Sequence, residues 1–129
     1  MEGQNPYDVD VVFVMDSTAS MGHYIQDVKE HISEMAGDIV DEFRNCTVRV
    51  GFVGYRDFTE GDKRLEILDM TNKTSEFVDF VDKIRAYAGG DVPEDVLGGL
   101  SRALNLSWKA KNRIIFHIGT VSMRRLLHF

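Results

Sequence analysis

Cysteine is almost missing from this chain. Cys46 stands alone, so no intrachain disulfide can form, and a single thiol reads as a small buried hydrophobe in a reducing compartment. Long apolar runs are missing as well. Residues 11–15 form a hydrophobic stretch too short for a signal peptide or a membrane span, and residues 1–6 lack the basic cluster that opens a secretory leader. The expected setting is therefore cytoplasmic, and the triplets beginning at Asn45, Asn72 and Asn105 have no role as glycosylation acceptors there. Basic clusters are lacking along the first 120 residues, and 15 Lys and Arg stand against 21 Asp and Glu for a formal charge of -6. Phosphate backbones would be repelled, which excludes nucleic acid as a partner. His23, His31, His117 and His128 lack the spacing of zinc ligands and read as ordinary surface or strand residues.

What is present is one domain's worth of chain. At 129 residues, 43% hydrophobic and 28% charged, the composition is that of a soluble globular protein with a single core. Residues 9–15 are a β-branched run without alternation, as in a strand covered on both faces. Ile25, Val28, Ile32, Met35, Ile39 and Phe43 then recur at helical spacing. Residues 47–53 and 65–70 read as strands. The polar link between them, carrying Gly61-Asp62, is too short for a parallel crossover, so these two strands should pair antiparallel. Asn72, Thr74 and Ser75 offer caps for a helix carrying Phe77, Val78, Phe80, Val81 and Ile84. Pro93-Glu94-Asp95 opens a third helix, with Val96, Leu97, Leu100, Leu104 and Trp108 expected inward and an end near residues 109–111. Residues 113–118 make the last strand.

This order predicts an α/β fold: an open, doubly wound, mostly parallel sheet with one antiparallel edge strand and helices on both faces. The ligand site of such a sheet lies at the carboxyl ends of its strands, where Asp16-Ser17-Thr18-Ala19-Ser20 leaves the first strand. If that loop runs extended, the oxygens of Asp16, Thr18 and Ser20 converge. One carboxylate and two hydroxyls make a hard, oxygen-only donor set suited to Mg²⁺ or Mn²⁺. The alternative is that Asp16, Ser17 or Ser20 caps the helix beginning near Met21.

The segment Val11-Val12-Phe13-Val14-Met15-Asp16-Ser17-Thr18-Ala19-Ser20-Met21 resembles the apolar strand and D-x-[ST]-x-S motif that open the metal-ion-dependent adhesion site of von Willebrand factor type A domains. Val50-Gly51-Phe52-Val53-Gly54-Tyr55-Arg56-Asp57-Phe58 is similar to that family's second strand and its exit. Gly89-Gly90-Asp91-Val92-Pro93-Glu94-Asp95-Val96-Leu97-Gly98-Gly99-Leu100 is similar to its glycine-rich loop, in the wording of A domains found beside alpha-type protein kinases. The resemblance covers residues 8–118, leaving 1–7 as an N-terminal tail and 119–129 as a divergent C-terminal tail. It implies cation ligation by Asp16, Thr18 and Ser20. The family's further ligand, usually a threonine of the glycine-rich loop, has no counterpart, and Asp91 or Glu94 is the substitute offered, with stabilisation of a first helical turn as the alternative role. The aspartate expected after the fourth strand is replaced by Gly119-Thr120, and the strand-helix units that would follow are missing, which implies a truncated copy.

The resemblance implies a metal-dependent protein-interaction module that is not an enzyme. It would bind an exposed Asp or Glu of a partner through Mg²⁺ or Mn²⁺, and any kinase activity would belong to a separate domain. One alternative is a metal-free structural domain that self-associates through an exposed sheet edge. Another is a phosphotransferase resembling the haloacid dehalogenases, with Asp16 as nucleophile beside Mg²⁺. Arg56 and Asp57 are expected either to pair locally or to line the metal face.

Overall fold

The computed structural model describes residues 5–56, 64–87 and 95–119. Along them run strand β1 (Val9–Asp16), helix α1 (Ile25–Glu42), strands β2 (Val48–Tyr55) and β3 (Leu65–Thr71), helices α2 (Thr74–Asp82) and α3 (Val96–Leu104), and strand β4 (Asn112–Ile118). The four strands form one sheet in the order β3-β2-β1-β4. β1 pairs parallel with β2 and β4, and β2 pairs antiparallel with β3 as expected.

All eight residues of β1 are buried, which explains its lack of alternation: both of its faces carry core. Val9, Val11, Phe13 and Met15 pack with Ile32, Ala36, Phe77 and Val81 beneath α1 and α2, while Val12 and Val14 pack with Val53, Tyr55 and Ala103 beneath α3. The register aligns Asp16 with Tyr55 and Met15 with Ile118, so the three parallel strands finish at one edge of the sheet.

The helices depart from their sequence pattern in instructive ways. α1 begins at Ile25 rather than near Met21. Two positions expected inward, Met35 and Phe43, are exposed, whereas Lys29 is buried. The Lys29 ammonium donates to the carbonyls of Asp82 and Ile84 at 2.7 and 2.9 Å, meeting orphan acceptors where α2 ends. α2 has Lys73 as N-cap with no side-chain hydrogen bond, so the expected polar caps are not used. α3 is shorter than expected, ending at Leu104, and its buried positions are Gly99 and Ala103. Leu97 and Leu104, both expected inward, are 81% and 55% exposed. Close approach is the reason: a Cβ at Gly99 would stand 3.0 to 3.3 Å from the Tyr55 side chain, so the helix meets the sheet along its smallest residues.

At the opposite, amino edge, Asp10 anchors the turn into β4. Its carboxylate takes Arg49 Nε and Nη2 at 3.0 and 2.8 Å and the amides of Lys109 and Ala110 at 2.6 and 2.9 Å.

Candidate functional site at the carboxyl edge

The chain leaves β1 at Asp16, whose alternation puts its side chain on the α3 side with Val12 and Val14. Ser17 is held by its main chain from two directions. Its N–H donates to Tyr55 O at 2.8 Å and its carbonyl accepts from Tyr87 N–H at 3.1 Å. Gly54 makes room for this, because a Cβ there would meet Ser17 Oγ at 2.8 Å.

With Ser17 pinned, Thr18 takes an extended conformation at φ -78, ψ 169, the condition under which the loop's alternate oxygens converge. Thr18 N–H and its hydroxyl both donate to Asp16 Oδ1, at 2.8 and 2.6 Å. Thr18 Oγ1 lies 2.7 Å from Ser20 Oγ, which is 3.5 Å from Asp16 Oδ2. The backbone contact is an Asx turn, in which the carboxylate substitutes for a carbonyl. A short 3₁₀ turn, Ala19–Met21, follows, and the N-cap of α1 is Tyr24 without a side-chain bond. None of Asp16, Ser17 and Ser20 is therefore the N-cap residue of α1.

The two carboxylate oxygens of Asp16 and the two hydroxyls suit a small divalent ion in spacing as well as in kind. Cis ligands of an octahedral ion with metal–oxygen distances of about 2.0–2.1 Å lie about 2.9 Å apart, and the observed separations of 2.6, 2.7 and 3.5 Å bracket that value. Asp16 and Thr18 are each 1% exposed while Ser20 is exposed, so the set opens to solvent from the Ser20 side. Among the described residues no group of three or more His, Cys, Asp and Glu gathers into a metal cage. From the described residues, an ion at this edge would draw on the Thr18 and Ser20 hydroxyls beside the Asp16 carboxylate. Asp91 and Glu94, the other candidate ligands, lie outside the described residues, as do Asp57, Gly61-Asp62 and Thr120. The flanks of the segment carrying Asp91 and Glu94 are nonetheless tied to this edge, through Tyr87 N–H on Ser17 O and Asp95 N–H on Arg56 O at 2.9 Å.

Several contacts around the site were not foreseen by sequence reasoning. Tyr55 OH and His117 Nε2 lie 2.8 Å apart in the buried layer beneath α3. Burial pushes the His117 imidazole below its ordinary pKa, and the nearby Asp16 carboxylate opposes that shift. Arg56 is fully buried and pairs with Glu66 at 3.1 Å. Asp95 caps α3 through Oδ1 on Gly98 N–H at 2.9 Å and holds Arg64 Nε through Oδ2 at 2.8 Å. The acid just before an apolar run was the legible signal for that cap. The Tyr55–His117 bond spans distant strands and left no local trace.

The model of the von Willebrand factor A domain matches residues 10–119. The chain belongs to that family. It is 34% identical over 111 residues to the alpha-protein kinase vwkA of Dictyostelium discoideum, covering 85% of this chain and 18% of the kinase. It is 29% identical over 107 residues to the ariadne-like RING finger protein R811 of Acanthamoeba polyphaga mimivirus, covering 83% and 10% respectively. The chain thus spans less than a fifth of each of these relatives. Among solved structures, the pilus adhesin SpaC of Lactobacillus rhamnosus GG superposes with a TM-score of 0.67 at 18% identity, covering 88% of this chain and 15% of the adhesin. BatB of Bacteroides thetaiotaomicron gives 0.63 at 17% identity, covering 84% and 52%. These two likenesses establish the fold of the A domain and nothing finer.

As an A domain the chain is a protein-interaction module, and the haloacid dehalogenase alternative falls with the family assignment. No helix among the described residues is long and apolar enough to cross a membrane.

Proposed function

We propose that this A domain is a non-catalytic adhesion module that binds an acidic residue of a protein partner through Mg²⁺ or Mn²⁺. The observation that carries this reading is the convergence of Asp16, Thr18 and Ser20 to 2.6–3.5 Å of one another at the carboxyl edge of the sheet. Asp16 would supply the one negative charge, and the Thr18 and Ser20 hydroxyls neutral lone pairs. Asp91 or Glu94 would complete the set from the glycine-rich loop. A bound divalent ion with few anionic ligands supplies an electrophilic centre that attracts a carboxylate. The exposed Ser20 leaves the partner's side chain an approach. The lone Cys46 supports a cytoplasmic setting, and catalytic activity like that named for the vwkA kinase would reside outside this domain.

Calorimetric titration of the full chain with Mg²⁺ and Mn²⁺ tests the reading. A saturable site in wild type that is lost in Asp16→Ala, with the variant still cooperatively folded, is the expected result. A flat response at millimolar ion removes the proposal. A partner captured through an exposed Asp or Glu should be released by EDTA.

A second reading, metal-free self-association, is favoured by the β4 edge. Among the described residues β4 pairs only with β1, and a groove of about 380 Å³ lined by Tyr24, Val28, Ile32, Met35 and Ile118 runs beside its end. A concentration-dependent oligomer in sedimentation equilibrium, unchanged by EDTA, would support it over the adhesion reading.

A further inference from the structure

Arg56 heads the largest fully buried side chains among the described residues, at 0% exposure. A guanidinium out of water is tolerated only where its charge and most of its donors are met, here through the two Nη groups rather than Nε, so the groups around it report what it holds in place. Nη1 reaches Glu66 Oε1 at 3.1 Å, at the start of β3. Nη2 donates to Arg85 O at 2.7 Å. The guanidinium carbon lies 3.9 Å from the centroid of the Tyr87 ring. The main chain of the same residue donates to Arg64 O at 2.7 Å and accepts from Asp95 N–H at 2.9 Å. Every one of these partners sits where the chain enters or leaves the carboxyl edge, and one leads directly to the candidate site: Tyr87 N–H donates to the carbonyl of Ser17, the residue between Asp16 and Thr18.

We propose that Arg56 is the positioning residue of the Asp16, Thr18 and Ser20 site, acting through Arg85 and Tyr87 to hold the Ser17 carbonyl and with it the convergence of the site's oxygens. The binding part of this inference rests on the adhesion reading, while the structural part does not. Arginine is required for its shape as much as its charge. A planar fork can bond an acid and a carbonyl at once while an aromatic ring covers its face, whereas lysine keeps the charge and loses the plane. A merely structural ion pair with Glu66 would depend on charge and would leave Tyr87 and Ser17 unaffected.

The test compares the wild-type chain with Arg56→Lys, Tyr87→Leu and the double variant. The readouts are amide exchange at residue 87 by NMR, Mg²⁺ affinity by calorimetry and the thermal midpoint. Each single variant is expected to speed exchange of the residue 87 amide at least tenfold and to weaken Mg²⁺ about tenfold, the lower range for loss of a group that orients metal ligands. The double variant should be no worse than the weaker single, because both act along one path. Leu106→Ala, a cavity toward the opposite edge, is the control: it should lower the thermal midpoint and leave Mg²⁺ affinity unchanged. Unaltered exchange at residue 87 in both single variants overturns the proposal. So does an equal loss of affinity in Leu106→Ala, which would mean general loosening. Should Arg56→Lys fail to fold, Tyr87→Leu carries the decision, since Tyr87 lies at the surface with 36% exposure. A wild type indifferent to Mg²⁺ defeats the adhesion reading, and exchange at residue 87 then decides the clamp by itself.

Discussion

Asp10 and His117 are both buried ionisable residues, and the structure treats them in opposite ways. Burial of Asp10 raises its carboxyl pKa, but the two-pronged contact from Arg49 and the amides of Lys109 and Ala110 outweigh that, so it is held below the ordinary carboxylate value. Its folded-state pKa is thus lower than its unfolded one, and the stability it contributes is complete above about pH 4 and lost as acid drives it through the folded value. Asp10→Asn leaves Arg49 facing a neutral amide and should cost about 3–5 kcal/mol in urea unfolding at pH 7, with a shallower loss of stability below pH 4. A cost under 1 kcal/mol would mean that the amides of residues 109 and 110 find other acceptors. His117 is shifted downward by burial, against the pull of Asp16, so the unfolded chain takes up its proton first as pH falls. Stability should therefore decline from about pH 6.5 downward, a window separate from that of Asp10, and His117→Gln should remove this early decline. Of these features only the Asp16, Thr18 and Ser20 group was legible in the sequence. Its members lie within five positions, and an extended loop brings alternate oxygens together. Asp10–Arg49 and Tyr55–His117 join different strands, so their partners depend on the sheet order.

At the scale of elements, α3 shows how apolar spacing oriented a helix only in part: Val96 and Leu100, with Trp108 beyond its end, pack against the core, whereas Leu97 and Leu104 do not. Leu97 and Leu104 are bulky candidates for an inward face, yet the close approach to Tyr55 puts Gly99 against the sheet, with Ala103 buried one turn on, because backbone proximity needs small residues. Gly99→Leu should then destabilise by about 1–3 kcal/mol through overpacking, despite the higher helix propensity of leucine. Leu97→Ala should change stability by less than about 0.5 kcal/mol. Urea titration of both variants checks the orientation, and reversed magnitudes would place Leu97 in the core. The same reasoning accounts for α1. Lys29 looked like a solvent-facing residue because its role depends on α2 ending beside it, with the carbonyls of Asp82 and Ile84 presented to its ammonium.

For the molecule as a whole, strand direction was legible because it follows from connection lengths: a short polar link forces β2 and β3 antiparallel, and helical connections return the chain parallel. That topology sets the three parallel strand ends at one edge, where any ligand binding must register as added stability of the entire fold. Mg²⁺ provides the test, complicated by a formal charge of -6, since any salt relieves self-repulsion by screening. The two effects separate by matching ionic strength. An ion that binds only the folded chain adds about 2.7 kcal/mol at a hundredfold excess over its dissociation constant. In a domain of this size each kcal/mol raises the thermal midpoint by about 3–5 °C. MgCl₂ should therefore raise the midpoint well beyond NaCl of equal ionic strength. Asp16→Ala should abolish this difference while retaining the common response to salt. If wild type responds equally to the two salts, the carboxyl edge holds no ion, and the oxygens of Asp16, Thr18 and Ser20 are converged by their own hydrogen bonds alone.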